Sequence, residues 1–89
     1  MTDSKLRIGL VGLGDIAVRA HLPALAADPR VSLVAVAEVD PDRLASLAPR
    51  GVRATRDADS VFADQAVDAV VIATPPAATP GLIQAALET

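Results

Sequence analysis

Cysteine is absent from this sequence of 89 residues, and histidine occurs only once. Without cysteine, the chain can form neither a disulfide framework nor a metal site with thiolate ligands. A single histidine also excludes a metal site built from several imidazoles. We therefore expect no metal centre in this sequence.

Aromatic residues are almost absent, and neither positive nor negative residues are clustered in the sequence. The sequence has one Phe and no Trp or Tyr, so it lacks the aromatic side chains on which nucleic-acid bases stack. Its net charge is −3 and its eight Lys and Arg residues are scattered, which argues against a nucleic-acid partner. No apolar run approaches the ~20 residues that span a bilayer, and no signal peptide is recognised. We expect a cytoplasmic protein with no membrane partner.

Ala, Val and Leu supply most of the hydrophobic residues, which make up 52% of the chain. Short apolar runs predict strands, and they alternate with longer segments of helical pattern. This order is typical of βαβ units with a parallel sheet. We predict an α/β fold, a Rossmann-type doubly wound sheet of four strands in the order 3-2-1-4 with helices on both faces. The predicted strands are 6–11, 31–37, 52–55 and 69–73, and the predicted helices are 15–27, 40–48, 57–64 and one that opens at 79.

A glycine-rich turn follows the first predicted strand. Its sequence, Gly12-Leu13-Gly14-Asp15-Ile16-Ala17, fits the pattern G-x-G-x-x-[G/A] of dinucleotide-binding proteins. In that pattern the first glycine permits the tight turn, the second lets the backbone approach a pyrophosphate, and the small final residue lets the helix pack on the strand. We predict that the backbone of residues 12–16, hereafter the glycine turn, holds the pyrophosphate of a nicotinamide cofactor.

An acidic residue, Glu38, ends the second predicted strand 24 residues after Gly14. A carboxylate at this place accepts hydrogen bonds from the adenosine ribose and repels a 2′-phosphate, so it favours NAD, with NADP as the alternative. Arg43, on the following helix, is predicted to contact the adenine or a phosphate. The alternative for Arg43 is an exposed charge on the helix surface.

Three segments together resemble the Gfo/Idh/MocA oxidoreductases. They are residues 7–14 (RIGLVGLG), residues 21–25 (HLPAL) and residues 67–76 (VDAVVIATPP). The resemblance implies an enzyme that moves a hydride between nicotinamide and a hydroxyl-bearing carbon of a sugar, cyclitol or similar small molecule. It further implies that residues 1–89 are part of a dinucleotide-binding domain, that the substrate domain and the catalytic residues lie outside this sequence, and that the full-length protein is a homo-oligomer.

By the same analogy, Thr74, Pro75 and Pro76 line the nicotinamide and its ribose, although two prolines also serve as a rigid end to a strand. Thr79 occupies the position where the family usually has a histidine. We expect His21 to have a structural or surface role, because it has no visible catalytic partner. Two alternatives stay open. One is a non-catalytic nucleotide-sensing or scaffold module, and the other is a dehydrogenase of another Rossmann family.

Overall fold

Four parallel strands form one sheet in the computed structural model, which describes residues 5–74 and 79–87. The strands are β1 (Leu6–Val11), β2 (Val31–Ala37), β3 (Arg53–Thr55) and β4 (Ala69–Ile72). Their order is β3-β2-β1-β4, as predicted. β1 is central, since Leu10 pairs with Val36 of β2 on one side and with Val71 of β4 on the other.

The connections between the strands are helical. They comprise a π-helical turn (Ala17–His21), α1 (Leu22–Ala27), α2 (Pro41–Leu47), α3 (Ala58–Phe62) and, after β4, α4 (Thr79–Leu87). β3 and β4 are one residue shorter than predicted, α2 is two residues shorter and α3 is three residues shorter. No helix among residues 5–74 and 79–87 is long and apolar enough to cross a membrane.

The first helical segment changes type just before Pro23. The N–H of Leu22 donates to the carbonyl of Ala17, five residues back, and the regular α-helix starts only at Leu22. Pro23 has no N–H and cannot donate to the carbonyl of Arg19, so the regular bonding pattern is interrupted there. The expected division into two helical pieces is confirmed.

Two apolar cores cover the two faces of the sheet. On one face Leu10 and Val36 are fully buried against Leu13 and Ala17, with α1 and α2 packed beside them. On the other face the buried residues are Val11, Ala35, Ala37 and Val61, with α3 and α4 packed on them. Because successive residues of a strand point to opposite faces, the continuous apolar runs of β1 and β2 supply both cores.

Candidate cofactor-binding site

A cleft of about 720 Å³ opens where β1, β2 and β4 end at their carboxyl ends. In open parallel sheets, ligands bind outside the carboxyl ends of the strands, at the point where the strand order reverses. The strands and the loops after them supply most of the wall, and α2, α3 and the start of α4 complete it. The lining residues are Val11, Gly12, Gly14, Ala37, Glu38, Val39, Asp40, Arg43, Ala58, Ala73, Thr74, Gly81 and Leu82.

Gly12 ends β1 in a conformation that favours glycine. Its φ is +101°, in the left-handed region. A Cβ built on Gly12 would lie 2.5 Å from the carbonyl oxygen of Ala73, closer than real Cβ atoms come. β4 therefore runs against the backbone of the turn, and both the backbone angle and the packing require glycine at this position.

Gly14 differs from Gly12 in both its backbone conformation and its surroundings. Its φ is not positive, and a Cβ built on it meets no atom within 4 Å in the described part of the protein. Nothing among residues 5–74 and 79–87 therefore requires glycine at position 14. Gly14 is one of the residues that line the cleft.

The Glu38 carboxylate is held in place by two backbone groups. The N–H of Leu13 donates to its Oε1 at 2.7 Å, and the N–H of Asp40 donates to its Oε2 at 2.9 Å. Glu38 thus joins the glycine turn to the start of α2 and fixes a negative charge on the cleft wall. Each carboxylate oxygen has a second lone pair, so two acceptor sites stay available to a ligand.

Asp40 and Arg43 complete this wall. Asp40 caps α2: its Oδ1 accepts from the N–H of Asp42 at 2.9 Å, with Pro41 as the first helical residue. One turn further on, the Arg43 Nη1 donates to the carbonyl oxygen of Leu13 at 3.3 Å, and its Nε lies 4.0 Å from the Asp40 Oδ2. Arg43 therefore lies against the glycine turn while its side chain stays 48% exposed.

The structure brings Gly12, Gly14, Glu38, Arg43 and Thr74 together in the cleft, whereas Pro75 and Pro76 lie outside the described residues. The Leu13 side chain is fully buried in the core, and its N–H is bonded to Glu38. Asp15 and Ile16 lie at the exposed start of the first helical segment, so of the turn only Gly12 and Gly14 are lining residues.

Eight of the lining residues were not predicted from the sequence: Val11, Ala37, Val39, Asp40, Ala58, Ala73, Gly81 and Leu82. Val39, which is 73% exposed, directly follows Glu38 in the loop after β2. Because Val39 follows Glu38 in the sequence, it could have been predicted as a lining residue. Gly81 and Leu82 reach the cleft because α4 packs back onto the sheet, which no local pattern reveals.

Lowered carboxyl pKa values occur away from the cleft, in ion pairs between structural elements. Hydrogen bonds from the Arg7 side chain, and then from its backbone N–H, hold the pKa of Asp68 below its usual value. In the loop before β2, the Arg30 side chain lowers the pKa of Asp28 to about 2. These groups join strand starts and loops, and we assign them no part in ligand binding.

A sequence model of the Gfo/Idh/MocA oxidoreductases matches residues 6–89. Its description is an oxidoreductase family with an NAD-binding Rossmann fold. The chain belongs to this family. The resemblance inferred from the sequence is confirmed, and with it the Rossmann-type fold.

Relatives in the Gfo/Idh/MocA family include enzymes of two kinds. An inositol 2-dehydrogenase of Acidothermus cellulolyticus is 41% identical over 82% of this chain. A dTDP-3,4-didehydro-2,6-dideoxy-α-D-glucose 3-reductase of Streptomyces antibioticus is 34% identical over 98% of it. The chain covers 22% and 27% of these relatives, respectively. It therefore spans about a quarter of their length.

Solved structures of the family match the fold closely and carry different cofactors. A 3-ketoreductase from Actinomadura kijaniata, in complex with NADP and TDP-benzene, superposes with a TM-score of 0.87 at 31% identity. A scyllo-inositol dehydrogenase from Lactobacillus casei, with NAD(H) and scyllo-inositol bound, has a TM-score of 0.82 at 28% identity. Each match covers 96% of this chain and 26% of the solved one.

Proposed function

We propose that this chain is the cofactor-binding part of a longer oxidoreductase and that it binds NAD in the cleft at the carboxyl ends of β1, β2 and β4. The observation that supports this best is the Glu38 carboxylate, fixed on the cleft wall by the N–H groups of Leu13 and Asp40. It stands beside Gly14, where the backbone is open to an approaching ligand.

The residues present fit a dinucleotide. The adenosine ribose hydroxyls donate to the two acceptor sites that Glu38 keeps free. The pyrophosphate lies against the backbone at Gly12 and Gly14, and Thr74 lines the nicotinamide end. NAD supplies a hydride acceptor at the nicotinamide ring, and the protein supplies binding and orientation.

The fixed carboxylate also supports NAD rather than NADP. A 2′-phosphate would lie close to the Glu38 carboxylate, and like charges at short distance repel. Because both carboxylate oxygens accept a backbone hydrogen bond, a rotation of Glu38 away from the ligand would break both bonds. The solved family structures hold NADP in one case and NAD(H) in another, so family membership alone does not decide the cofactor.

For the whole protein, we propose hydride transfer between nicotinamide and a hydroxyl-bearing carbon of a sugar, cyclitol or similar small molecule. The support is that relatives act on a dTDP-deoxysugar and on inositol. The substrate domain and the catalytic residues then belong to the part of the protein beyond this sequence. A cytoplasmic location and a homo-oligomer of the full-length protein stay predictions.

Titration of the full-length protein with NADH and NADPH, followed by nicotinamide fluorescence, tests the cofactor assignment. We expect NADH to bind wild type more tightly than NADPH. Glu38→Gln should weaken NADH binding roughly tenfold or more, the scale of hydrogen bonds to a charged group. The same change should reduce the preference for NADH over NADPH, because it removes the carboxylate charge that repels the 2′-phosphate. Asp59→Asn, on the exposed surface of α3, removes a charge in the same way and should change neither affinity.

Three results would contradict these proposals. If NADPH binds wild type more tightly than NADH, the role assigned to Glu38 in cofactor choice is wrong. If neither binds, the cleft is not a nicotinamide dinucleotide site. If NADH binds but is neither formed nor consumed with any of a panel of cyclitols, sugars and nucleotide-linked ketosugars, the proposed substrate class is wrong, and the alternative of a nucleotide-sensing module is favoured.

A further inference from the structure

Both polar groups of the Leu13 backbone are bonded, one to the loop after β2 and the other to α2. Its N–H donates to the Glu38 Oε1 at 2.7 Å, and its carbonyl oxygen accepts from the Arg43 Nη1 at 3.3 Å. Its side chain is fully buried between the sheet and the helices. The residue between the two glycines is therefore fixed by its side chain and by both ends of its backbone.

The orientation of Leu13 determines that of the next amide. A trans peptide group is planar, so the carbonyl of Leu13 and the N–H of Gly14 point in opposite directions. When Arg43 holds the carbonyl towards α2, the N–H of Gly14 is directed away from α2. Rotation of this peptide would exchange the directions of the two groups and bring the carbonyl oxygen, which carries partial negative charge, to the side that the N–H of Gly14 now occupies.

Arg43 is itself well placed to hold this peptide. Its backbone N–H donates to the Asp40 Oδ1 at 3.4 Å, and its Nε lies 4.0 Å from the Asp40 Oδ2. The N–H of Asp40 in turn donates to Glu38. The four residues Leu13, Glu38, Asp40 and Arg43 thus form a closed circuit of contacts around the first peptides of the glycine turn.

We propose that Arg43 is a positioning residue for the pyrophosphate: it sets the orientation of the Leu13–Gly14 peptide. This inference rests on the proposed function, because it takes the cleft to be a dinucleotide site. It differs from the sequence-based prediction that Arg43 contacts the adenine or a phosphate directly. A residue that acts through the turn affects NADH and NADPH alike, whereas one that binds the 2′-phosphate affects NADPH alone. A residue that contacts the adenine also affects both cofactors, but its loss leaves hydrogen exchange in the ligand-free turn unchanged.

The test uses the full-length protein with Arg43→Met, which keeps an unbranched side chain but removes the donors. We expect its Kd values for NADH and NADPH to rise by a similar factor, roughly tenfold, as for loss of a hydrogen bond from a charged group. In the ligand-free protein, hydrogen exchange of the Gly12 and Leu13 amides, which donate to Ala37 and Glu38, should accelerate roughly fivefold, while that of amides 6–11 in β1 stays unchanged. Arg50→Ala, an exposed charge in the loop after α2, is the control and should change neither readout.

The outcomes separate the possibilities. Parallel loss of both cofactors together with faster exchange confined to the turn supports the positioning role. Loss of NADPH affinity alone shows direct contact with the 2′-phosphate and overturns it, as does unchanged exchange in the turn. Failure of the wild-type protein to bind either cofactor would overturn the proposed function, and this inference with it.

Discussion

The two glycines of the turn have the same place in the sequence pattern but different physical reasons to be glycine. Gly12 has φ +101° and lies against the Ala73 carbonyl, so its requirement comes from the protein itself. Gly14 meets no such restriction in the described structure. Its requirement, on our proposal, comes from the ligand. Substitution by alanine at each position should therefore separate stability from binding.

We expect Gly12→Ala to destabilise the fold by about 2 kcal/mol or more, because a strained backbone alone costs ~1–3 kcal/mol and the contact with Ala73 adds to it. Gly14→Ala should leave the free energy of unfolding within about 1 kcal/mol of wild type, since alanine there adopts an ordinary conformation. It should nevertheless weaken NADH binding. Urea unfolding and NADH titration of both variants provide the measurements.

Gly51 supplies the control for backbone strain. Its φ is +79°, and a Cβ there meets no atom within 4 Å in the described structure. Gly51→Ala should cost ~1–2 kcal/mol through the left-handed conformation alone and leave NADH affinity unchanged. Unaltered NADH binding by Gly14→Ala would contradict the assignment of position 14 to the pyrophosphate.

The sequence predicted which residues meet in the cleft better than it predicted how they meet. Gly12, Gly14 and Glu38 were found because strand ends and their spacing determine where such residues lie. The bond from the Leu13 N–H to Glu38 was not foreseen, because it depends on the distance between two loops that are 25 residues apart. Local preference carries no information about that distance.

Among the structural elements, β1 and β4 are joined at their amino ends by two pairs of hydrogen bonds between Arg7 and Asp68. The Arg7 side chain donates to both carboxylate oxygens of Asp68, at 2.9 and 3.1 Å, and the backbone N–H groups of the two residues bond across the same gap. Arg7 and Asp68 stay partly exposed, with side chains 48% and 34% accessible. Exposed pairs of this kind contribute little, so we expect a measurable but small effect on stability.

The Arg7–Asp68 ion pair makes the free energy of unfolding depend on pH. The folded pKa of Asp68 lies below its unfolded value of about 3.9, so its contribution is present above that pH and is lost as the pH falls through the folded pKa. Asp68→Asn should therefore have a lower urea midpoint than wild type at pH 7, and the two midpoints should converge as the pH falls below about 4. A gap that persists undiminished at lower pH would show that the carboxylate charge is not responsible.

The elements themselves were largely predictable, and the departures have local causes. The N-cap residue Asp40 followed by Pro41 determined the start of α2 as expected. The strands were recognised from apolar runs, because both faces of the sheet are covered. The π-helical turn at Ala17–His21 was foreseen only as a break near Pro23, since the composition shows that the regular pattern fails but not which alternative bonds replace it.

At the scale of the whole molecule, β4 is an edge strand of the sheet that the structure describes. Its four residues, Ala69–Ile72, are all apolar, and α4 beside them leaves Ile83 and Leu87 exposed at 46% and 81%. An apolar edge strand with unpaired backbone groups is a template for pairing with another chain. The 89-residue chain therefore has a surface that favours association when nothing else of the protein accompanies it.

We expect the 89-residue chain, expressed alone, to self-associate at micromolar concentration, observed as a rising sedimentation coefficient in analytical ultracentrifugation. Ala69→Lys places a charge on the edge strand, which disfavours strand pairing, and should shift the population towards monomer. Gln65→Lys, in the exposed loop before β4, adds the same charge outside the strand and should leave association unchanged. A wild-type chain that sediments as a single monomeric species and unfolds cooperatively by calorimetry would refute the prediction, because its β4 edge would then be stable without a partner.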